Sequence, residues 1–189
     1  MSMKLDSEIL RVFSFLKSHP QVRQKLCAPP DKTVVYSGGT HRPNANNPEL
    51  TDYFAAWEQL AKAKKQDPHR FDYVTVEERL RQFHVVEFGE TLYEHANRVT
   101  DSLKHRGLGK QAVYLWRALS GIYIQGARGR VRALVLPGEN ISQSVFSLTE
   151  VKVLLRPDVL QNIKLDPNLI REFQLMVKSG LTPRPIVVF

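Results

Sequence analysis

Two side chains carry most of the chemical promise of this sequence. Glu150 is the one acid in FSLTEVKVLL, where its neighbours are chiefly apolar. Trp116 stands in LWRALSGIYIQGA, followed on the same helical flank by Ser120 and Tyr123. An aromatic ring on a helix can stack on a flat ligand and exclude water, and a carboxylate can stabilise positive charge developing on a substrate. Together they are the parts of a small-molecule site. Each also has an ordinary explanation: a packing tryptophan, and a Glu–Lys face on an edge strand.

The elements that must hold them follow from periodicity. Gly109 to Ala127 reads as one long helix. Leu115, Leu119 and Ile122 form its core stripe, with Trp116, Ser120 and Tyr123 beside it. Trp116 therefore sits at the border of the core, where a ring can wall a cleft. RVRALVL, beginning at Arg130, alternates as a strand. TEVKVLL is predicted to be a second strand, with Val151, Val153 and Leu155 on one face and Glu150, Lys152 and Leu154 on the other. The loop PGENISQSV joins them, and RPDVLQNIKL closes the stretch.

The remaining elements frame this stretch. Asp6 or Ser7 caps a first helix with Ile9, Leu10, Val12, Phe13 and Leu16 as apolar positions, and His19-Pro20 ends it. CAPPD, residues 27–31, reads as a rigid linker between a helical appendage (1–30) and a main domain (31–189). Thr33 to Tyr36 is a short buried strand that stops at Ser37, Gly38 and Gly39. A strand running into a Gly-Gly turn brings backbone close to another group, often a ligand, although SGGT alone carries little functional weight. Asn47 and Pro48 read as N-cap and first residue of a helix through PELTDYFAAWEQLAKAKKQ, with Tyr53, Phe54, Trp57 and Leu60 as its core stripe. Thr75 with Glu78 and Thr91 with Glu94 are capping boxes, with a short strand, HVVEF, between their helices. The second of these helices stops at Gly107. A last helix runs from Pro167 to Ser179, and the tail LTPRPIVVF can add a strand.

The chain has 189 residues, enough for one domain with a sizeable core. It is 42% apolar and 24% charged, as in ordinary globular proteins. The single cysteine, Cys27, rules out an internal disulfide and suits a reducing compartment. No apolar run reaches the length of a membrane span, and MSMKLDSEIL is not a signal peptide. The net charge of +8 favours polyanionic partners or a phosphate-bearing ligand. The Lys and Arg residues are dispersed, so a solvated basic surface explains the charge equally well.

Several chemistries lack support. His41, His69, His84, His95 and His105 are scattered, there is no HExxH, and no metal site is expected. A Ser-His-Asp triad stays open, although no G-x-S-x-G is present. A glycosidase with two carboxylates requires Glu87, Glu90 or Glu94 to meet Glu150. SGGT lacks the spacing and lysine of a P-loop.

Three segments, in chain order, resemble the ADP-ribosyl cyclase family and its bacterial polymorphic-toxin branch. TVVYSGGT is similar to the family's strand ending in an aromatic, then Ser and Gly. FGETLYEHANRVTDSL is similar to its Thr-Leu-Glu-Asp-Thr segment. Leu115 to Leu165 resembles its tryptophan helix, the following strand, and the Ser-Val strand bearing the catalytic acid. The third match is the specific one, because order and spacing agree over the whole stretch. The resemblance implies an α/β fold, a short and largely parallel sheet flanked by helices, and NAD glycohydrolase activity without a cofactor. It implies Glu150 as the catalytic glutamate, Trp116 as the stacking tryptophan and Ser120 as a phosphate contact. Ser144, Val145 and Phe146 fall in the phosphate-binding turn. Tyr36 falls where the family often has a second stacking tryptophan, beside Ser37. Tyr93 stands where the family has the glutamate of Thr-Leu-Glu, with Glu94 following.

The resemblance further implies a toxin that acts in a reducing cytoplasm after delivery by a secretion system, depletes NAD, and has an acidic immunity protein as partner. Two alternatives stand beside it. One is a nuclease toxin or RNA-binding module using Arg128, Arg130, Arg132 and His95. The other is a non-catalytic interaction protein that kept the fold, which the changes at Tyr36 and Tyr93 would suit.

Overall fold

The computed structural model describes residues 4–37, 41–44, 47–53, 55–135, 149–179 and 186–188. Asp6 accepts the backbone N–H of Glu8 and opens helix α1, Ser7–Ser18. Its N-cap is the expected one, and the helix ends before Pro20 as expected. The chain then turns at His19 into a second helix, α2 (Pro20–Leu26), with Pro20 at the first position, where its missing N–H costs nothing. Ile9, Val12, Phe15, Leu16 and Leu26 bury into the same cluster as the later helices.

Strand β1 (Thr33–Ser37) follows. Next comes a hairpin of β2 (His41–Asn44) and β3 (Asn47–Tyr53). This corrects the helix expected from Asn47-Pro48. Asn47 pairs in register with Asn44, and helix α3 spans only Ala55–Gln66. A cap-like Asn-Pro pair does not outweigh strand pairing. The side chains of Tyr53, Phe54 and Trp57 lie outside the described residues; Leu60 is buried as expected.

Both capping boxes form. Thr75 and Glu78 open α4 (Val76–Arg81), and Thr91 and Glu94 open α5 (Leu92–His105). Between them only β4 (His84–Val85) and β5 (Glu90–Thr91) pair, so the strand expected over 84–88 shortens to two residues and a turn. Gly107, at φ +71°, supplies the left-handed residue that ends the α5 turn. Helix α6 spans Gly109–Gln125, and strand β6 Gly129–Val135.

The largest correction concerns the acid-bearing stretch. Glu150 lies in helical backbone, φ −60° and ψ −51°, at the head of a short helix α7 (Val151–Leu154). The alternation in TEVKVLL suits a strand, but Val151 and Leu154 are the buried pair, at the spacing of one helical turn. After α7 come α8 (Pro157–Leu160), β7 (Ile163–Lys164), α9 (Pro167–Ser179) and β8 (Ile186–Val188).

The fold is α/β. Strands β1, β6 and β7 form a small parallel sheet, and β8 pairs antiparallel with β6. Alternation along the strands divides them between two clusters. Val35, Val131 and Ala133 join the main core with α1, α5 and α6, while Val34 and Leu134 pack with Leu60 and Tyr73. Covering both faces suits the apolar runs 34–36 of β1 and 133–135 of β6. Leu115 and Leu119 are fully buried, each such side chain stabilising by about 1.5–3 kcal/mol.

Candidate functional site

Helix α6 holds the acid in place. Arg117 donates through Nε to the Thr149 hydroxyl at 3.0 Å, and Ser120, one turn on, hydrogen-bonds the Glu150 carboxyl. Glu150 is only 6% exposed, and its Oε2 has no hydrogen-bond partner among the described residues. An ionised carboxyl so enclosed is costly unless something pairs with it.

Two tyrosines bring β1 to this point. Tyr123, also on α6, accepts the backbone N–H of Val34 at 3.0 Å and donates to the Val74 carbonyl at 2.6 Å. It thereby fastens β1 and the lead-in to α4 against α6. Tyr36, near the carboxyl end of β1, donates its hydroxyl to Oε1 of Glu77 in the first turn of α4. Ligands of open parallel sheets bind at the carboxyl ends of the strands, and the Tyr36–Glu77 pair lies near that end of β1.

Electrostatics couples the members. Burial, then the charge of Glu77, push Glu150 up to about 8, while the Ser120 hydrogen bond pulls weakly the other way. Glu150 is therefore mostly neutral at pH 7. Burial first, and then Glu77 as both charge and hydrogen-bond acceptor, hold the Tyr36 phenol well above its usual range, with Glu150 adding to the effect. Strongly shifted groups gathered at a strand end mark a candidate site.

Of the residues singled out from sequence, Ser120 hydrogen-bonds Glu150, and Tyr36, bonded to Glu77, lies within electrostatic reach of the same acid. Trp116 and Tyr93 meet each other instead, ring edge to face with centroids 6.3 Å apart. The Trp116 indole N–H donates to the Thr100 hydroxyl at 2.9 Å, and the half-buried ring packs against the main core. Glu94 is exposed and closes its capping box on Thr91. Those bonds hold its carboxyl below the usual range. Only the backbone of Ser37 is described, in register with Val135. Ser144, Val145 and Phe146 lie outside the described residues.

The second acid beside Glu150 is Glu77. Glu87, Glu90 and Glu94 serve elsewhere: the Glu87 carbonyl accepts from Arg11, and Glu90 binds His95 and Arg98. Sequence reasoning passed over Glu77 because an acid in a helix's first turn already has a local explanation. Glu77 also lines a cleft of about 360 Å³ between α3 and α4, together with Leu60, Lys64, Lys65, Tyr73 and Arg81. The Arg81 guanidinium lies 4.1 Å from the Tyr93 ring centre, so it links the cleft to the Tyr93–Trp116 pair.

Two of the groups named for a nuclease are committed to the fold. Arg132 is 5% exposed and donates to the Asp31 carbonyl, and His95 is fully buried between Glu90 and Glu8, stacked on Phe88. Among the described residues no cluster of three His, Cys, Asp or Glu could hold a metal ion, and no helix is long and apolar enough to cross a membrane. No protein-family model, curated protein or solved structure matches the chain.

Proposed function

We propose that this chain is an NAD glycohydrolase on an ADP-ribosyl cyclase-like scaffold, releasing nicotinamide and ADP-ribose. The observation that supports this reading is the relation of Tyr36 and Ser120 to Glu150. The resemblance names Tyr36 in one segment and Ser120 and Glu150 in another, and the first lies within electrostatic reach of the buried carboxyl that the second contains.

The reaction suits a site with few groups. The bond to nicotinamide breaks with its electron pair going to the pyridinium nitrogen, so nicotinamide leaves neutral and needs no general acid. The ribosyl centre becomes oxocarbenium-like, and a nearby carboxylate stabilises it. Water then adds to the ribosyl carbon and gives up a proton, leaving ADP-ribose. Glu150 must be ionised for its part. The cationic pyridinium supplies the means, since an opposite charge within a few ångströms favours the carboxylate. Ser120 keeps the carboxyl oriented.

The toxin role, delivery to another cell's cytoplasm and an acidic immunity partner rest on the resemblance, with the +8 charge in agreement. Incubating the purified protein with NAD and following nicotinamide release by chromatography tests the activity. No release above the buffer control retracts the proposal.

A further inference from the structure

Ser120 was expected to contact the substrate's phosphate, yet it is 2% exposed and hydrogen-bonds Glu150. The substrate's doubly anionic pyrophosphate needs its cationic partners elsewhere. The cleft between α3 and α4 has them. Lys65 is exposed and carries no ion pair among the described residues. Arg81 is exposed too, held over the Tyr93 ring rather than against an acid. Lys64 differs, because Glu78 and the Tyr73 carbonyl each take its ammonium at 2.7 Å. Among the described residues the rim thus has two cations without an acidic partner and one already paired.

The other wall of the cleft is acidic. Glu77 lines it, and its Oε1 is occupied by the Tyr36 hydroxyl. Its Oε2 is enclosed without a hydrogen-bond partner among the described residues. An enclosed acceptor left unmatched is costly, and a ligand hydroxyl that matched it would recover that cost. A volume of about 360 Å³ lies within the range of small-ligand sites. A phosphate between two cations and a sugar hydroxyl on a carboxylate together describe a phosphorylated riboside.

We propose that the α3–α4 cleft binds the phosphate-bearing riboside half of the substrate, with Lys65 and Arg81 on its phosphate and Glu77 on its ribose hydroxyls. This rests on the NAD reading above and deepens it. Glu77 becomes the second carboxyl of the site, facing the sugar whose bond breaks beside Glu150. Arg81 joins the phosphate to the Tyr93–Trp116 pair.

Calorimetric titration with nicotinamide mononucleotide and with nicotinamide riboside tests it, because the two differ only by the phosphate. The wild-type protein should bind the mononucleotide at least about tenfold more tightly, as charge-assisted hydrogen bonds warrant. Lys65→Ala, and Lys65→Ala with Arg81→Ala, should erode that preference and leave riboside binding unchanged. Glu77→Gln should weaken both ligands alike. Melting curves identify any variant that fails to fold, and Lys65→Ala, at an exposed position, is the variant safest on that count. Equal affinity for the two ligands, no binding of either, or a preference that survives Lys65→Ala overturns the proposal. The two readings fail separately. A phosphate preference lost in Lys65→Ala without nicotinamide release from NAD leaves the cleft standing and retracts the hydrolase. Release of nicotinamide with KM unchanged in Lys65→Ala retracts the cleft alone.

Discussion

Tyr36 and Glu77, separated by 41 residues of chain, are joined by a hydrogen bond from the phenol to the carboxyl. That bond ties the end of β1 to the first turn of α4 and places a second acid within electrostatic reach of Glu150. The chemistry proposed for the chain depends on this convergence.

Stability should depend on pH through Glu150. Its carboxyl is raised from an ordinary 4.5 to about 8 in the folded protein, so between those values the folded state holds a proton that the unfolded state has lost. This contribution is fully present below about 4.5 and is lost as pH rises through about 8. Urea unfolding across pH 5–9 should show wild-type stability declining, with a shallower decline in Glu150→Gln. Parallel curves for the two proteins would place the buried proton elsewhere.

Catalysis should move the opposite way. In the proposed reaction Glu150 of the unliganded protein must lose its proton, so kcat/KM should rise with pH and level off above about 8. A rate that falls across that range would make Glu150 a proton donor rather than an anion.

Trp116 should matter to stability as well as to ligand. Trp116→Phe leaves the Thr100 hydroxyl without its donor and should cost about 1 kcal/mol. Trp116→Ala also removes the ring packed on the core and should cost roughly 3–5 kcal/mol, measured by urea unfolding. Two variants as stable as wild type would return the ring to a purely ligand-facing role.

The features legible in the sequence were those with a local cause. Asp6 as a cap, the two capping boxes, the α6 stripe of Leu115 and Leu119 and strand β6 all follow from spacing within a few residues. Glu150 was legible as a residue but not as part of a helix. Val151, Val153 and Leu155 alternate as in a strand, and only tertiary burial of Val151 and Leu154 decides against it. Asn47-Pro48 misled for a related reason, since pairing with β2 lies beyond the cap's local signal. Glu77 had no signal at all, because its partner Tyr36 is distant in sequence.

The product should be linear ADP-ribose with little or no cyclic form. Cyclisation requires the adenine ring to be held against the ribosyl carbon, and the family's Thr-Leu-Glu glutamate influences that choice. In the proposed likeness Tyr93 stands at that position; it lies beneath Arg81 and against Trp116, and Glu94 closes the Thr91 capping box. Cyclic ADP-ribose as the main chromatographic product would show that another acid has taken the role.

Gly126 should not tolerate alanine. A methyl group there would lie 2.2 Å from the Cys27 Cβ and 3.0 Å from its Cα, where the ends of α6 and α2 meet. Backbone must move to admit it, so Gly126→Ala should destabilise by about 1–3 kcal/mol. A raised melting temperature, the consequence of replacing a glycine at negative φ where alanine fits, would show that the contact is loose.

The most direct test of the central claim is nicotinamide release from NAD by wild-type protein and by Glu150→Gln, with both proteins shown to be folded at the assay pH. We expect release by the wild type and a turnover lower by about 100-fold or more in the variant, the scale of one lost electrostatic contact to a transition state. Wild-type-like turnover in folded Glu150→Gln would contradict the role assigned to this carboxyl.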